Sequence, residues 1–162
     1  MVYNVRKAIK IVLYYCGIAL FFSKERQMGK TILLVDDEVE ITDIHQRYLV
    51  QAGYQVLVAH DGVEALEIFK RKPIDLIITD IMMPRMDGYD LISEVQYQSP
   101  DQPFLFITAK TSEQDKIYGL SLGADDFIAK PFSPRELVLR VHNILRRLHR
   151  GGETEEIGRA HV

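Results

Sequence analysis

The chain lacks the features that would tie it to a disulfide scaffold, a bilayer or a nucleic-acid surface. Its single cysteine, Cys16, excludes an internal disulfide and fits a reducing compartment, so a cytoplasmic location is expected. The apolar stretch from Ile11 to Phe22 is shorter than the roughly 17–25 residues a bilayer span takes, so no membrane partner is expected. A net charge of −3 offers no basic surface for DNA or RNA. There are no long repeats or low-complexity tracts. The five histidines show no metal-ligand spacing, and His45 reads as a surface residue of a helix.

What remains is a chain of 162 residues, enough for one domain with a sizeable core. Its two ends differ from its middle. In residues 1–27, Arg6, Lys7 and Lys10 precede the apolar stretch, but Phe21-Phe22-Ser23-Lys24 offers no small-residue cleavage site. Met28-Gly29-Lys30 leads directly into a strand, so Met28 is read as the natural start and the preceding residues as upstream translation; a short amphipathic extension and a membrane anchor are the alternatives. At the other end, Ile157-Gly158-Arg159-Ala160-His161-Val162 resembles a translated sequencing-adapter oligonucleotide. Residues 151–162 are accordingly expected to be a linker and a non-native tail, and residues 28–150 the folded domain.

Within that span, short apolar runs alternate with amphipathic ones. Thr31–Val35, Gln55–Ala59, Leu76–Thr79, Phe104–Thr108 and Asp126–Ala129 read as strands, each bounded by turn residues. Helices fall between them. The first is expected to bury Ile41, Ile44 and Tyr48, with Leu49 beside them, and Gly53 to stop it. Asp61-Gly62-Val63-Glu64 has capping-box spacing and opens the second; the third runs from about Tyr89 to Gln96; the fourth starts near Ser112. The fifth has Ser133 as N-cap, Pro134 at N1, Glu136 at N3 and a stripe of Leu137, Val141, Ile144, Leu145 and Leu148. Strand–helix repetition with short loops implies a right-handed, doubly wound α/β fold with a parallel sheet covered on both faces.

Ligands of such sheets bind beyond the carboxyl ends of the strands. There the sequence places Asp36 and Asp37 after the first strand, Asp80 after the third, Thr108 after the fourth and Lys130 after the fifth. Three neighbouring carboxylates need a positive charge to stay ionised. A hard divalent cation with oxygen ligands suits them, and Mg2+ suits a site that also handles phosphate. A carboxylate can attack phosphorus and form an acyl phosphate. A lysine and a threonine can hold phosphoryl oxygens. Asp87 reads as a turn acid, and Pro84 and Gly88 as residues that shape the loop after Asp80.

The segments Leu34-Val35-Asp36-Asp37-Glu38, Asp80-Ile81-Met82-Met83-Pro84-Arg85-Met86-Asp87-Gly88, Thr108-Ala109-Lys110 and Gly123-Ala124-Asp125-Asp126-Phe127-Ile128-Ala129-Lys130-Pro131-Phe132 resemble those of a bacterial two-component response-regulator receiver domain. The likeness runs over about residues 30–150. It implies a single flavodoxin-like (βα)5 domain with a five-stranded parallel sheet in the order 2-1-3-4-5. It implies Asp80 as phosphoacceptor, Asp36, Asp37 and Asp80 as Mg2+ ligands with the backbone carbonyl of Met82, Lys130 as the phosphate-binding lysine, a cis Lys130-Pro131 bond, and Thr108 and Phe127 as the switch pair. Phe127 departs from the family's common tyrosine and lacks its hydroxyl.

The end of the fifth helix, Ile144-Leu145-Arg146-Arg147, resembles the OmpR/PhoB-like subfamily, whose receivers precede a winged-helix DNA-binding domain. The resemblance implies a sensor histidine kinase as partner, a homodimer on phosphorylation, and contact with DNA only through a C-terminal domain missing here. Lys116, Asp125, Asp126, Glu136, Arg140 and Arg147 are the candidate residues of the dimer face. Two rival readings stay open: a stand-alone receiver acting by protein contact, and a magnesium-dependent aspartyl phosphohydrolase. The latter usually has a second acid two residues after its nucleophile, where this chain has Met82.

Overall fold

The computed structural model describes residues 29–109 and 112–159, with side chains as far as residue 151. The N-terminal segment, Lys110, Thr111 and the last three residues lie outside the described residues. Strands β1 (Thr31–Val35), β2 (Gln55–Ala59), β3 (Leu76–Asp80), β4 (Phe104–Thr108) and β5 (Asp126–Ala129) alternate with helices α1 (Val39–Gln51), α2 (Gly62–Arg71), α3 (Gly88–Gln98), α4 (Glu113–Ser121) and α5 (Pro134–Arg159). All four pairings are parallel, and the order is β2-β1-β3-β4-β5, as expected.

Successive strand residues point to opposite faces, so the sheet builds two cores. Ile32, Leu34, Ile78, Leu105 and Ile107 meet Leu49 of α1 and Leu137, Val141, Ile144 and Leu145 of α5. Leu33, Val35, Ile77, Phe104 and Phe106 meet Ala65 of α2 and Leu91, Ile92 and Val95 of α3. Each large side chain so buried contributes about 1.5–3 kcal/mol. Every residue of β3 and β4 is buried, whereas β2 and β5, at the two edges, are mostly half-covered.

Local signals set the helix ends. Asp61, Asp87, Ser112 and Ser133 accept the backbone N–H three residues on, at 2.9, 2.8, 3.1 and 3.1 Å, which satisfies donors the helix leaves open. Glu64 reaches back to the His60 N–H, 2.9 Å. Gly53 ends α1 in the left-handed region at φ 102°, where a side chain would be strained.

Three expectations need correction. The buried face of α1 is Thr42, His45 and Leu49; Ile44 and Tyr48 are exposed. That face lies one residue, about 100°, round from the stripe the sequence suggested. The chain enters α1 straight from β1, and Thr42 donates its hydroxyl to the Glu38 carbonyl at 2.8 Å, which fixes the rotation of the first turn. His45 is therefore a core residue, 4% exposed, rather than a surface one. Finally, α5 continues through Gly151 to Arg159, over residues read as linker; two glycines cost a helix only about 1 kcal/mol each. No helix among the described residues is long and apolar enough to cross a membrane.

Candidate functional site

The register of the sheet assembles the site. Val35 lies beside Thr79, so the next residues, Asp36 and Asp80, leave the sheet side by side. Thr108 lies beside Ala129, and the Lys130 N–H donates to the Thr108 carbonyl at 2.9 Å, which brings the lysine over the same edge. The Lys130-Pro131 bond is cis.

The Lys130 ammonium sits among three carboxylates. It is 2.8 Å from Asp36 Oδ2, 2.8 Å from Asp80 Oδ2 and 3.0 Å from Glu38 Oε1. It donates hydrogen bonds to the last two; the contact with Asp36 Oδ2 is an ion pair without hydrogen-bond alignment. Burial alone would lower the lysine's pKa, but Asp36, Asp80 and Glu38 outweigh it and hold the group well above the usual lysine range. Asp36 is fully buried, and the Asp80 side chain keeps 7% of its surface open beneath the lysine.

The residues singled out in the sequence divide here. Asp36, Asp80 and Lys130 come together, and Thr108 stands fully buried at the end of β4. Asp37 is exposed and lies outside the group of Asp36, Glu38 and Asp80, whose oxygens fall within 4.8 Å of one another. Glu38 was missed. It is the N-cap of α1 yet makes no side-chain cap; its own N–H is taken by Asp36 Oδ1 at 3.0 Å, and its carboxylate goes to Lys130. An acid directly after the Asp pair was the only signal in the sequence.

Met82 is exposed, and its N–H donates to Asp80 Oδ1 at 3.2 Å. The loop it sits on is clamped twice. A Cβ on Gly88 would stand 2.2 Å from the Asp80 carbonyl oxygen, so only glycine lets the chain return this close. Arg85, in the left-handed region at φ 65°, reaches Asp61 with two nitrogens at 3.0 and 2.5 Å. Asp87 caps α3, as a turn acid would.

Phe127 is half-buried. It packs at a steep angle on Phe106, centroids 6.3 Å apart, and lies against Gly119 of α4. Among the dimer-face candidates, Arg140 pairs within the chain with Asp126 at 2.9 Å and Glu136 at 2.9 Å, which raises its pKa. Arg147 donates to the Asp125 carbonyl at 3.4 Å, and burial raises the Asp125 carboxyl. Lys116 is exposed, beside exposed Ile117 and Tyr118.

The donor set fits a hard cation. Asp36, Glu38 and Asp80 offer oxygen only, and the buried Asp36 Oδ2 has an ion pair with the Lys130 ammonium in place of a hydrogen bond. The same hollow now holds an ammonium, a positive charge of the kind the site demands.

A doubly wound sheet in this order, with acids and a lysine gathered at its carboxyl edge, is the architecture of a signalling receiver. Residues 32–142 match the profile of the response regulator receiver domain, and the chain belongs to that family. The response regulator SaeR of Staphylococcus aureus (strain USA300) is 50% identical over 117 residues, 72% of this chain and 51% of that protein. The chain thus spans about half the length of the curated relatives it matches. Among solved structures, the receiver domain of Francisella response regulator 1452 superposes with a TM-score of 0.70 at 34% identity, covering 74% of this chain and 99% of that one. The non-phosphorylated HemR receiver domain of Leptospira biflexa gives 0.69 at 32% identity, covering 72% and 94%.

Proposed function

We propose that this chain is the phosphoacceptor of a two-component pathway, with Asp80 taking the phosphoryl group from a phosphohistidine of a sensor histidine kinase. The observation that carries the reading is the Lys130 ammonium held between Asp36 and Asp80 at 2.8 Å from each. An Asp80 carboxylate oxygen attacks phosphorus in line; the P–O bond forms as the P–N bond to the imidazole breaks, and the imidazole leaves with the electron pair. Mg2+, held by Asp36 and Asp80 with help from Asp37 and the Met82 carbonyl, would neutralise charge on the transferring group. Lys130 gives up its contact with Asp80 Oδ2 and takes a phosphoryl oxygen, and Thr108 donates to another.

Movement of Thr108 toward the phosphoryl group leaves room for Phe127 to turn inward against Phe106. The face of α4, β5 and α5 then changes shape, a two-state equilibrium biased by new charged contacts. Release of the Arg140 pairs with Asp126 and Glu136 would free those groups, with Lys116, Asp125 and Arg147, to pair across a homodimer. The shorter span of the chain relative to SaeR supports a further C-terminal domain in the whole protein, and transcription control through DNA is the output that fits a dimer of this type. The protein would act in the cytoplasm, where the kinase's phosphohistidine is presented.

Incubation with a radiolabelled phosphorylated kinase and Mg2+ tests the reading. The parent chain should take a label that alkali and hydroxylamine both remove, as an acyl phosphate requires, and Asp80→Asn none. A label that persists in that variant would remove Asp80 from the role.

A further inference from the structure

We infer that His45 is a positioning residue for Lys130, acting through Phe132. The inference rests on the phosphoacceptor reading for its consequence and on geometry for its substance.

The turn between β5 and α5 runs Lys130-Pro131-Phe132-Ser133. Pro131 and Ser133 are exposed, so Phe132 is the side chain by which this turn grips the core of α1 and α5. What it meets is His45. The two rings lie face to face, centroids 4.9 Å apart and 16° from parallel. His45 is 4% exposed, and its Nδ1 is buried without a hydrogen-bond partner among the described residues. Leaving such a group unpaired costs about 1–3 kcal/mol. The ring is thus held for its flat face rather than for a polar contact.

The contact closes a circuit. Glu38, at the start of α1, binds the Lys130 ammonium; His45, seven residues on and two helical turns away, holds the residue two places after Lys130. That separation is about 10 Å along the helix. The lysine is therefore fixed at both ends by one rigid element: its head by Glu38 and its turn by His45. The Lys130 N–H bond to Thr108 ties the middle to β4. Loss of the stack frees the turn, and Lys130 with it, while deleting no group that touches the phosphoryl donor. Misplacement of a positioned group by about 1 Å can cost up to a hundredfold in rate.

The test uses His45→Ala, which removes the ring; His45→Phe, which keeps a flat one; and Val95→Ala, a truncation in the opposite core. Two readings are taken on the full chain. One is the phosphorylation rate of Asp80 by acetyl phosphate with Mg2+, at a temperature where circular dichroism finds each variant folded. The other is hydrogen exchange of the Lys130 amide, with neither magnesium nor donor. His45→Ala should slow phosphorylation about tenfold and speed Lys130 exchange about tenfold, while His45→Phe and Val95→Ala should match the parent within about twofold on both. If His45→Ala does not fold, His45→Leu, which keeps apolar bulk without a flat ring, takes its place with the same expectation. Parental rate and exchange in the ring-deleted variant would overturn the inference, as would equal slowing by Val95→Ala. A parent chain that takes no phosphoryl group would instead sink the phosphoacceptor reading, and the exchange measurement would still decide whether His45 holds the turn.

Discussion

Replacing Lys130 by methionine keeps most of the side chain's length and removes its charge. The ammonium is the sole cation within 3.0 Å of Asp36 Oδ2, Asp80 Oδ2 and Glu38 Oε1 among the described residues, and it is 13% exposed. Removing one partner of a buried pair costs about 3–5 kcal/mol, because the other charge stays behind uncompensated. Glu38 is half-exposed and can turn to water, but Asp36 is fully buried and cannot. The lower end, about 3 kcal/mol, is therefore expected. For a domain of this size that lowers Tm by about 10 °C. The same change empties the hollow of its competing cation, so Mg2+ at a hundred times its Kd for Lys130→Met should stabilise that variant by about 2.7 kcal/mol, and the parent by less at the same concentration. The pH dependence has a definite sign. The folded-state pKa of Lys130 is raised, so its contribution is complete below the ordinary value of 10.5 and is lost as pH climbs past it. Thermal unfolding by circular dichroism at pH 7, with and without Mg2+ at matched ionic strength, and again above pH 10.5, measures all of this. If Lys130→Met melts within about 2 °C of the parent without Mg2+, the acids are not held by the lysine and the electrostatic account of the site is wrong.

Three other outcomes follow from the same coordinates. Gly88→Ala drives a methyl to 2.2 Å from the Asp80 carbonyl oxygen, so it should cost at least the ~1–3 kcal/mol of ordinary overpacking and depress Asp80 phosphorylation; a variant with parental urea midpoint and rate refutes the close approach. Burial lowers the pKa of both His45 and His142, with Arg146 adding to the effect at His142, so stability should fall as pH drops below about 6.5. Urea unfolding at pH 7.5 and 5.5 checks this, since His45→Phe/His142→Leu should flatten the difference. Burial pushes the Tyr54 phenol up to about 12; its contribution is complete below pH 10 and lost above it, and ultraviolet titration of Tyr54→Phe should show one late-ionising tyrosine fewer than the parent, Tyr89 being also raised by burial.

The parts of the site that lie at strand ends were legible in the sequence. Asp36, Asp80, Thr108 and Lys130 each end an apolar run, and a parallel sheet turns that one-dimensional regularity into a shared edge. Strand bounds were legible for the same reason: β1, β2, β4 and β5 begin and end where their apolar runs do. What was hidden depends on rotation and on contacts between distant loops. The apolar stripe of α1 is Ile41, Ile44 and Tyr48, and only docking on the sheet decides instead for the more polar Thr42, His45 and Leu49. Glu38 reads as a helix-start acid until a lysine 92 positions later arrives beside it. The clamp of Arg85 on Asp61 joins two loops 24 residues apart, and no periodicity announces it.

The uneven covering of the sheet has a mechanical consequence. β3 and β4 are walled in on every side, so the strand that ends in Asp80 behaves as an anvil. β5, at the rim and only partly walled in, carries both Phe127 and, just past its end, Lys130. A push delivered at the anvil has nowhere to go along its own axis. Under the proposed phosphorylation it would be taken up sideways, at the half-covered rim.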